Sequence, residues 1–238
     1  MKRSTLFFPI FLAVAAVLVA VYPRPSAAST PLRTPATTGK TVVNVPGFVM
    51  TGKLELASGQ TASGVTASIA GLIVADSQVK NGSYRINLPN RLLASQLSSL
   101  ENMRLVDGYG TLRGKGAAGA EVVLTAYQDG NGNGRFDAGE PKMTLSPFPA
   151  DKSSSYRAFF RYQVVVLSTT ASLDETQDAP SGAKGFYRYH LANVPAGYSV
   201  LEGELADNGY DIRLRPGGEF TLMPQMMAGS KTAPAFSN

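Results

Sequence analysis

Glu121-Val122-Val123-Leu124-Thr125-Ala126-Tyr127 runs, one residue later, into Asp129-Gly130-Asn131-Gly132-Asn133-Gly134-Arg135-Phe136-Asp137-Ala138-Gly139-Glu140 and then Pro141. The first segment is rich in β-branched and aromatic residues and has no polar helical face, which predicts a strand. Pro141 disfavours helical geometry at Glu140. The loop between them therefore joins strands, not helices. That decides the class: an all-β chain folded as an antiparallel β-sandwich.

The loop has its own chemistry. Oxygen side chains fall at positions 1, 3, 5, 9 and 12 of twelve, with glycine at position 6. This is the spacing of an EF-hand-like calcium loop, here between strands. Asp129, Asn131, Asn133, Asp137 and Glu140 are the expected side-chain ligands, and Arg135 offers its carbonyl. Gly134 supplies the backbone freedom of the sharp turn. Three acids in the shell, not five, predict weak affinity suited to the calcium level outside cells. Glu140→Ala is expected to remove most of the calcium-linked stability and to leave the metal-free protein nearly unchanged.

Outward from the loop, alternation with period two continues. Phe48, Met50, Leu54 and Leu56 mark one strand face; Val65, Ala67 and Ile69 mark the next, with Leu72 to Ala75 beyond Gly71. Asn81-Gly82 predicts a turn into Tyr84, Ile86 and Leu88. Leu93, Leu97 and Leu100 recur at helical spacing, which predicts one short amphipathic helix over Asn90 to Met103. Downstream, Tyr156 to Leu167 reads as a long strand apolar on both faces. Leu173 to Ala183 reads as an acidic loop, followed by strands at Phe186 to Leu191, Tyr198 to Leu205, Asp211 to Leu214 and Glu219 to Leu222.

Composition sets the compartment. Lys2 and Arg3, the apolar run Leu6 to Tyr22, and Ser26-Ala27-Ala28 predict a signal peptide over 1–28. An uncleaved anchor is the other reading of that run. Losing 1–28 removes Lys2, Arg3 and Arg24 from the 22 basic residues and none of the 17 acids, so the mature charge is near +2. The basic balance thus says little about nucleic acid. No cysteine is present, which excludes a disulfide framework and thiol catalysis and gives a secreted domain a use for a structural metal. Residues 29–42 read as a Ser/Thr/Pro linker, 43–106 as a metal-free β module, 107–225 as the calcium-loop module, and 226–238 as a disordered tail. Weak echoes between the halves fit two modules or one enlarged sandwich. No further span is expected to cross a membrane.

Gly185-Phe186-Tyr187-Arg188-Tyr189-His190-Leu191-Ala192-Asn193-Val194-Pro195-Ala196-Gly197-Tyr198 resembles the closing motif of prealbumin-like sandwich modules, such as carboxypeptidase regulatory-like domains and the B-type repeats of Gram-positive adhesins. Those modules often carry an aspartate- and asparagine-rich loop after an early strand, as Asp129 to Glu140 follows Tyr127. The resemblance covers about Gly110 to Glu204 and implies a prealbumin/immunoglobulin-like sandwich. No lysine–asparagine isopeptide pair and no wall-sorting motif accompany it, so covalent wall attachment is not implied.

Enzyme readings find little support. The one histidine, His190, lies opposite the Tyr187/Tyr189/Leu191 face, and no Gly-x-Ser-x-Gly elbow presents a nucleophile. Glu202 and Glu204 share a strand face, which a solvated face also produces. No catalytic residue is assigned. Arginines interleave with aromatics at Tyr156 to Tyr162 and at Tyr187-Arg188-Tyr189. Arg157, Arg161, Tyr187, Arg188 and Tyr189 are therefore candidate ligand-binding residues for a sugar or a polyanion. The expectation is a secreted, periplasmic or cell-surface protein of the envelope, non-catalytic and calcium-stabilised, acting in adhesion, structure or assembly. Its expected partners are an envelope protein or polysaccharide. The alternatives are a module binding a polyanion or carbohydrate, including DNA outside the cell, and an exported hydrolase.

Overall fold

The computed structural model describes residues 41–100, 103, 105, 111–150, 160–178, 185–207, 209–225 and 235–237. They belong to a compact unit, Gly39–Asn238, distinct from Met1–Thr38. The expected signal peptide lies outside the described residues, as does the linker up to Lys40. Among the described residues, no helix is long and apolar enough to cross a membrane.

Fifteen strands form among the described residues. They are β1 (Val42–Asn44), β2 (Phe48–Lys53), β3 (Gly64–Ile69), β4 (Leu72–Gln78), β5 (Ser83–Leu88), β6 (Arg91–Leu93), β7 (Ser98–Ser99), β8 (Ala118–Tyr127), β9 (Lys142–Pro149), β10 (Phe160–Leu167), β11 (Ala171–Asp178), β12 (Phe186–Val194), β13 (Gly197–Ala206), β14 (Gly209–Arg215) and β15 (Phe220–Pro224). The chain is all-β, with its sheets packed as a sandwich.

Strand β8, read from the sequence as the deciding stretch, is also the hinge of the architecture. One of its edges pairs with β3 over Val122–Tyr127. Its other edge pairs with β10 over Gly119–Val122 and then with β9 over Leu124–Tyr127. The sheet therefore forks at Val123. One branch runs β10-β13-β14-β12-β11. The other runs β9-β15 and meets the β2–β5 pair through bridges Thr51–Glu219 and Leu54–Leu222.

Two cores follow from the fork. Val65, Ala67 and Ile69 of β3, Leu124 and Ala126 of β8, Met50, Ile86, Phe220 and Leu222 fill the first. Leu173, Tyr189, Leu191, Leu201 and Ile212 fill the second. Strand β10 serves both: Val164 and Val166 face the first core, Val165 and Leu167 the second. This accounts for its apolar residues on both sides of the pleat. Each such fully buried side chain stabilises the fold by roughly 1.5–3 kcal/mol. Residues 43–106 and 107–225, read as separate modules, share the β3–β8 pairing and the first core.

Two expectations need correction. No helix spans Asn90 to Met103; the described residues there form β6, a short 3-10 turn Ala94–Gln96, and β7. The reason is tertiary. Leu97 packs against the first core and Leu100 is buried in the second, so one helical stripe cannot serve both. Second, Leu173 to Asp178 is not loop but most of β11, an edge strand paired with β12; its acids keep that edge soluble. Of the expected tail beyond Gln225, Ala235–Ser237 is described. Phe236 packs on the first core, and Ser237 and Lys142 exchange backbone hydrogen bonds at 2.8 and 3.0 Å. Among the described residues the sandwich is antiparallel apart from the parallel β12–β14 pair and the parallel bridges between β2 and β15.

Candidate functional site

The loop is held by its own carboxylates. The Gly132 and Gly134 N–H groups donate to Asp129 Oδ1 and Oδ2, each at 2.7 Å, and Asn133 N–H donates to Oδ1 at 3.2 Å. Glu140, only 8% exposed, accepts from Gly130 N–H at 3.0 Å and from Asp137 N–H at 2.9 Å. The first and last ligands of the expected shell thus gather the backbone into a ring. Gly132 and Gly134 take φ of +74° and +78°, the region where glycine carries no Cβ penalty.

Inside that ring, Asn131 and Asn133 point their Nδ2 groups at Asp137 Oδ2. These two donors, with Arg135 a lesser influence, hold the Asp137 carboxyl below its ordinary value. The Oδ1 atoms of the two asparagines accept from Asn133 N–H and Arg135 N–H at 3.0 and 2.8 Å. Five of the six expected ligand residues are therefore joined through side-chain atoms, and Arg135 through its backbone N–H. Among the described residues, no three His, Cys, Asp or Glu side chains stand close enough to hold a metal ion. Calcium takes oxygen only. To receive it, both amides must turn their oxygens inward and the carboxylates must draw together.

The loop is tied to the sheet by residues the sequence reading did not single out. Asp76 of β4 accepts from Tyr127 OH at 2.9 Å and from Phe136 N–H at 3.1 Å. Ser63 Oγ accepts from Asp129 N–H at 3.0 Å. Tyr127 and Phe136 meet edge to face with centroids 5.4 Å apart. The Tyr127 ring lies across Gly64, where an added Cβ would stand 2.3 Å from ring atoms. Burial, reinforced by Asp76, pushes the Tyr127 hydroxyl pKa upward. No local pattern in the sequence links Asp76 to a loop some fifty residues later.

Among the described residues, the aromatic–arginine segments place their side chains on two faces of the sheet. Arg157 lies outside the described residues. Register carries Arg161 across Gly203 and Ile212 to Tyr189, so Arg161 shares a face with Tyr187 and Tyr189. Tyr189 is fully buried, and Tyr187 stacks between it and Tyr210 at 6.4 and 5.9 Å. Arg188 lies on the opposite face. Its guanidinium holds Asp211 through two nitrogens, at 2.5 and 3.2 Å, and lies 4.5 Å over Phe186. His190 is exposed beside Asp174 and Asp211, at 3.8 and 3.9 Å. Glu202 is buried, accepting from Tyr162 OH at 3.0 Å with Arg215 3.8 Å away, while Glu204 pairs with Arg213 at 2.7 Å.

The chain matches no family model, no curated protein and no solved structure.

Proposed function

We propose that this is an exported, non-catalytic β-sandwich protein of the cell envelope, stabilised by one calcium ion at Asp129–Glu140 and acting in adhesion, structure or assembly. One observation carries the calcium reading. Asp129 and Glu140, the first and last ligand positions, already gather the loop backbone, and Asn131, Asn133 and Asp137 converge between them. Asp129, Asp137 and Glu140 would supply the anionic oxygens, Asn131 and Asn133 their turned amide oxygens, and Arg135 its carbonyl. The ion would neutralise carboxylates held on one short loop, and it would act on structure, with no reaction step assigned to it. Export rests on Lys2, Arg3 and the apolar run that follows. The envelope role rests on the resemblance to sandwich modules of surface proteins.

The test is a calcium titration read by melting temperature. Free calcium at about 100 times the dissociation constant should stabilise the fold by roughly 2.7 kcal/mol over chelator. Magnesium should substitute poorly, since it demands a small octahedral shell. Identical melting in calcium and chelator would sink the proposal.

A further inference from the structure

We infer that a basic cluster around Ser83, at the turn between β4 and β5, binds the anionic groups, carboxylate or phosphate, of an acidic polysaccharide. The inference names a ligand for the envelope role proposed above and rests on that role, not on calcium.

Register builds the cluster. Lys53 of β2 lies opposite Ser83 of β5, and Thr51 lies opposite Arg85. On the other side of Ser83 stands Lys80, joined to it across the Asn81-Gly82 turn by two backbone hydrogen bonds of 2.9 Å. Those bonds take the Ser83 amide and carbonyl toward Lys80. Lys53 and Ser83 are therefore a non-hydrogen-bonded pair, the kind whose side chains stand closer. Arg85 is diagonal to Lys53, at about 7–8 Å between Cα atoms. It shares with Lys80 a cleft of about 470 Å³, lined also by Ser77, Gln78, Ser83 and Tyr84. Lys53, Lys80, Ser83 and Arg85 are all exposed, while Tyr84 and Ile86 between and beyond them turn to the first core.

Like charges on neighbouring strands repel, and here nothing within the fold relieves them. Among the described residues, no ion pair reaches Lys53, Lys80 or Arg85. Of the acids on neighbouring strands, Asp76 is turned to the loop, its oxygens taken by Tyr127 and Phe136. Glu219 lies across Thr51 from Arg85, and Glu55 two residues beyond Lys53. An anion over Ser83 meets three cations and a hydroxyl donor. The rest of the lining selects a sugar. Ser77 and Gln78 offer a hydroxyl and an amide, and the lysine and arginine stems offer CH surface to a sugar ring. The one aromatic ring there, Tyr84, is only 4% exposed, and its hydroxyl donates to the Phe220 carbonyl at 2.8 Å. Nucleic-acid bases thus find nothing to stack on, and a peptide finds no apolar pocket for an anchoring side chain.

The probes are labelled oligosaccharides of equal length: an oligogalacturonate, a phosphorylated maltooligosaccharide and the neutral maltooligosaccharide. Binding to the purified protein is read by fluorescence anisotropy over a range of salt. Chelator is present, so that no ion bridges sugar and protein, at a temperature where the chelator-treated protein is folded. An acidic probe should bind at least about tenfold tighter than the neutral one and weaken as salt rises; the tighter of the two acidic probes identifies the anionic group. Lys53→Gln/Lys80→Gln/Arg85→Gln should keep its melting temperature and lose both the preference and the salt dependence. Lys115→Gln/Lys142→Gln, at exposed sites elsewhere, should keep both. The inference is overturned by equal binding of acidic and neutral probes, by binding of none, or by equal loss in the two variants. Tighter binding of poly-aspartate or of single-stranded DNA than of either acidic sugar overturns it too. Failure of the envelope reading appears separately, as native protein recovered in the cytosolic fraction.

Discussion

At Gly64 a missing side chain makes room for a working one. Gly64 lies opposite Tyr127 in the ladder, and the Tyr127 ring occupies the space a Cβ would take. Gly64→Ala should displace the ring, loosen its bond to Asp76 and lower stability by roughly 1–3 kcal/mol. Asp76→Ala leaves the Tyr127 hydroxyl buried without its acceptor, at a cost of about 1–3 kcal/mol. Because both changes act through one hydrogen bond, the double variant should lose less than the sum of the two. Urea unfolding of the three variants checks this; strict additivity would mean Tyr127 and Asp76 are not coupled.

At the scale of the loop, the structure revises one expectation drawn from spacing alone. Glu140 was expected to matter only to the metal. It is instead buried and caps two backbone N–H groups. Glu140→Ala should therefore destabilise the chelator-treated protein by about 1–3 kcal/mol, in addition to abolishing the calcium response. Melting in chelator decides between the two expectations. Asp137 adds a pH dependence. Its folded pKa is depressed by the Asn131 and Asn133 amides, so its stabilisation is present above the unfolded value near 4. That stabilisation fades as pH falls through the folded value. Asp137→Asn should flatten this acid limb.

Across the whole molecule, burial of tyrosines sets an alkaline limit. Burial pushes the Tyr198 hydroxyl up to about 12, and Tyr84 and Tyr127 are raised as well, burial again the main cause. A raised folded value gives stability that is complete below the unfolded value near 10 and is lost as pH rises through the folded one. Melting temperature should therefore fall above about pH 10, less steeply for Tyr198→Phe. The shared strand β10 makes a second whole-molecule prediction. Its opposite faces belong to different cores, so the two should unfold together. Leu167→Ala should cost about 2–5 kcal/mol and shift one single transition by calorimetry; two separated transitions would refute the coupling.

Much of the fold was legible because strand alternation is local. Val65-Thr66-Ala67-Ser68-Ile69 and Glu121 to Tyr127 declare a buried face by their own spacing, whatever they pack against. The candidate loop was legible for the same reason, since twelve consecutive residues hold the whole pattern. Three features were not, because their causes lie far along the chain. Leu93, Leu97 and Leu100 have helical spacing, yet two separate cores draw Leu97 and Leu100 apart. Strand β9 carries Pro147 and Pro149, which argue against a strand. Pairing with β15 admits them because β8 leaves β9 beyond Leu145. Asp76 and Tyr127 meet through the β3–β8 register, and only packing across the fork at Val123 brings that register about.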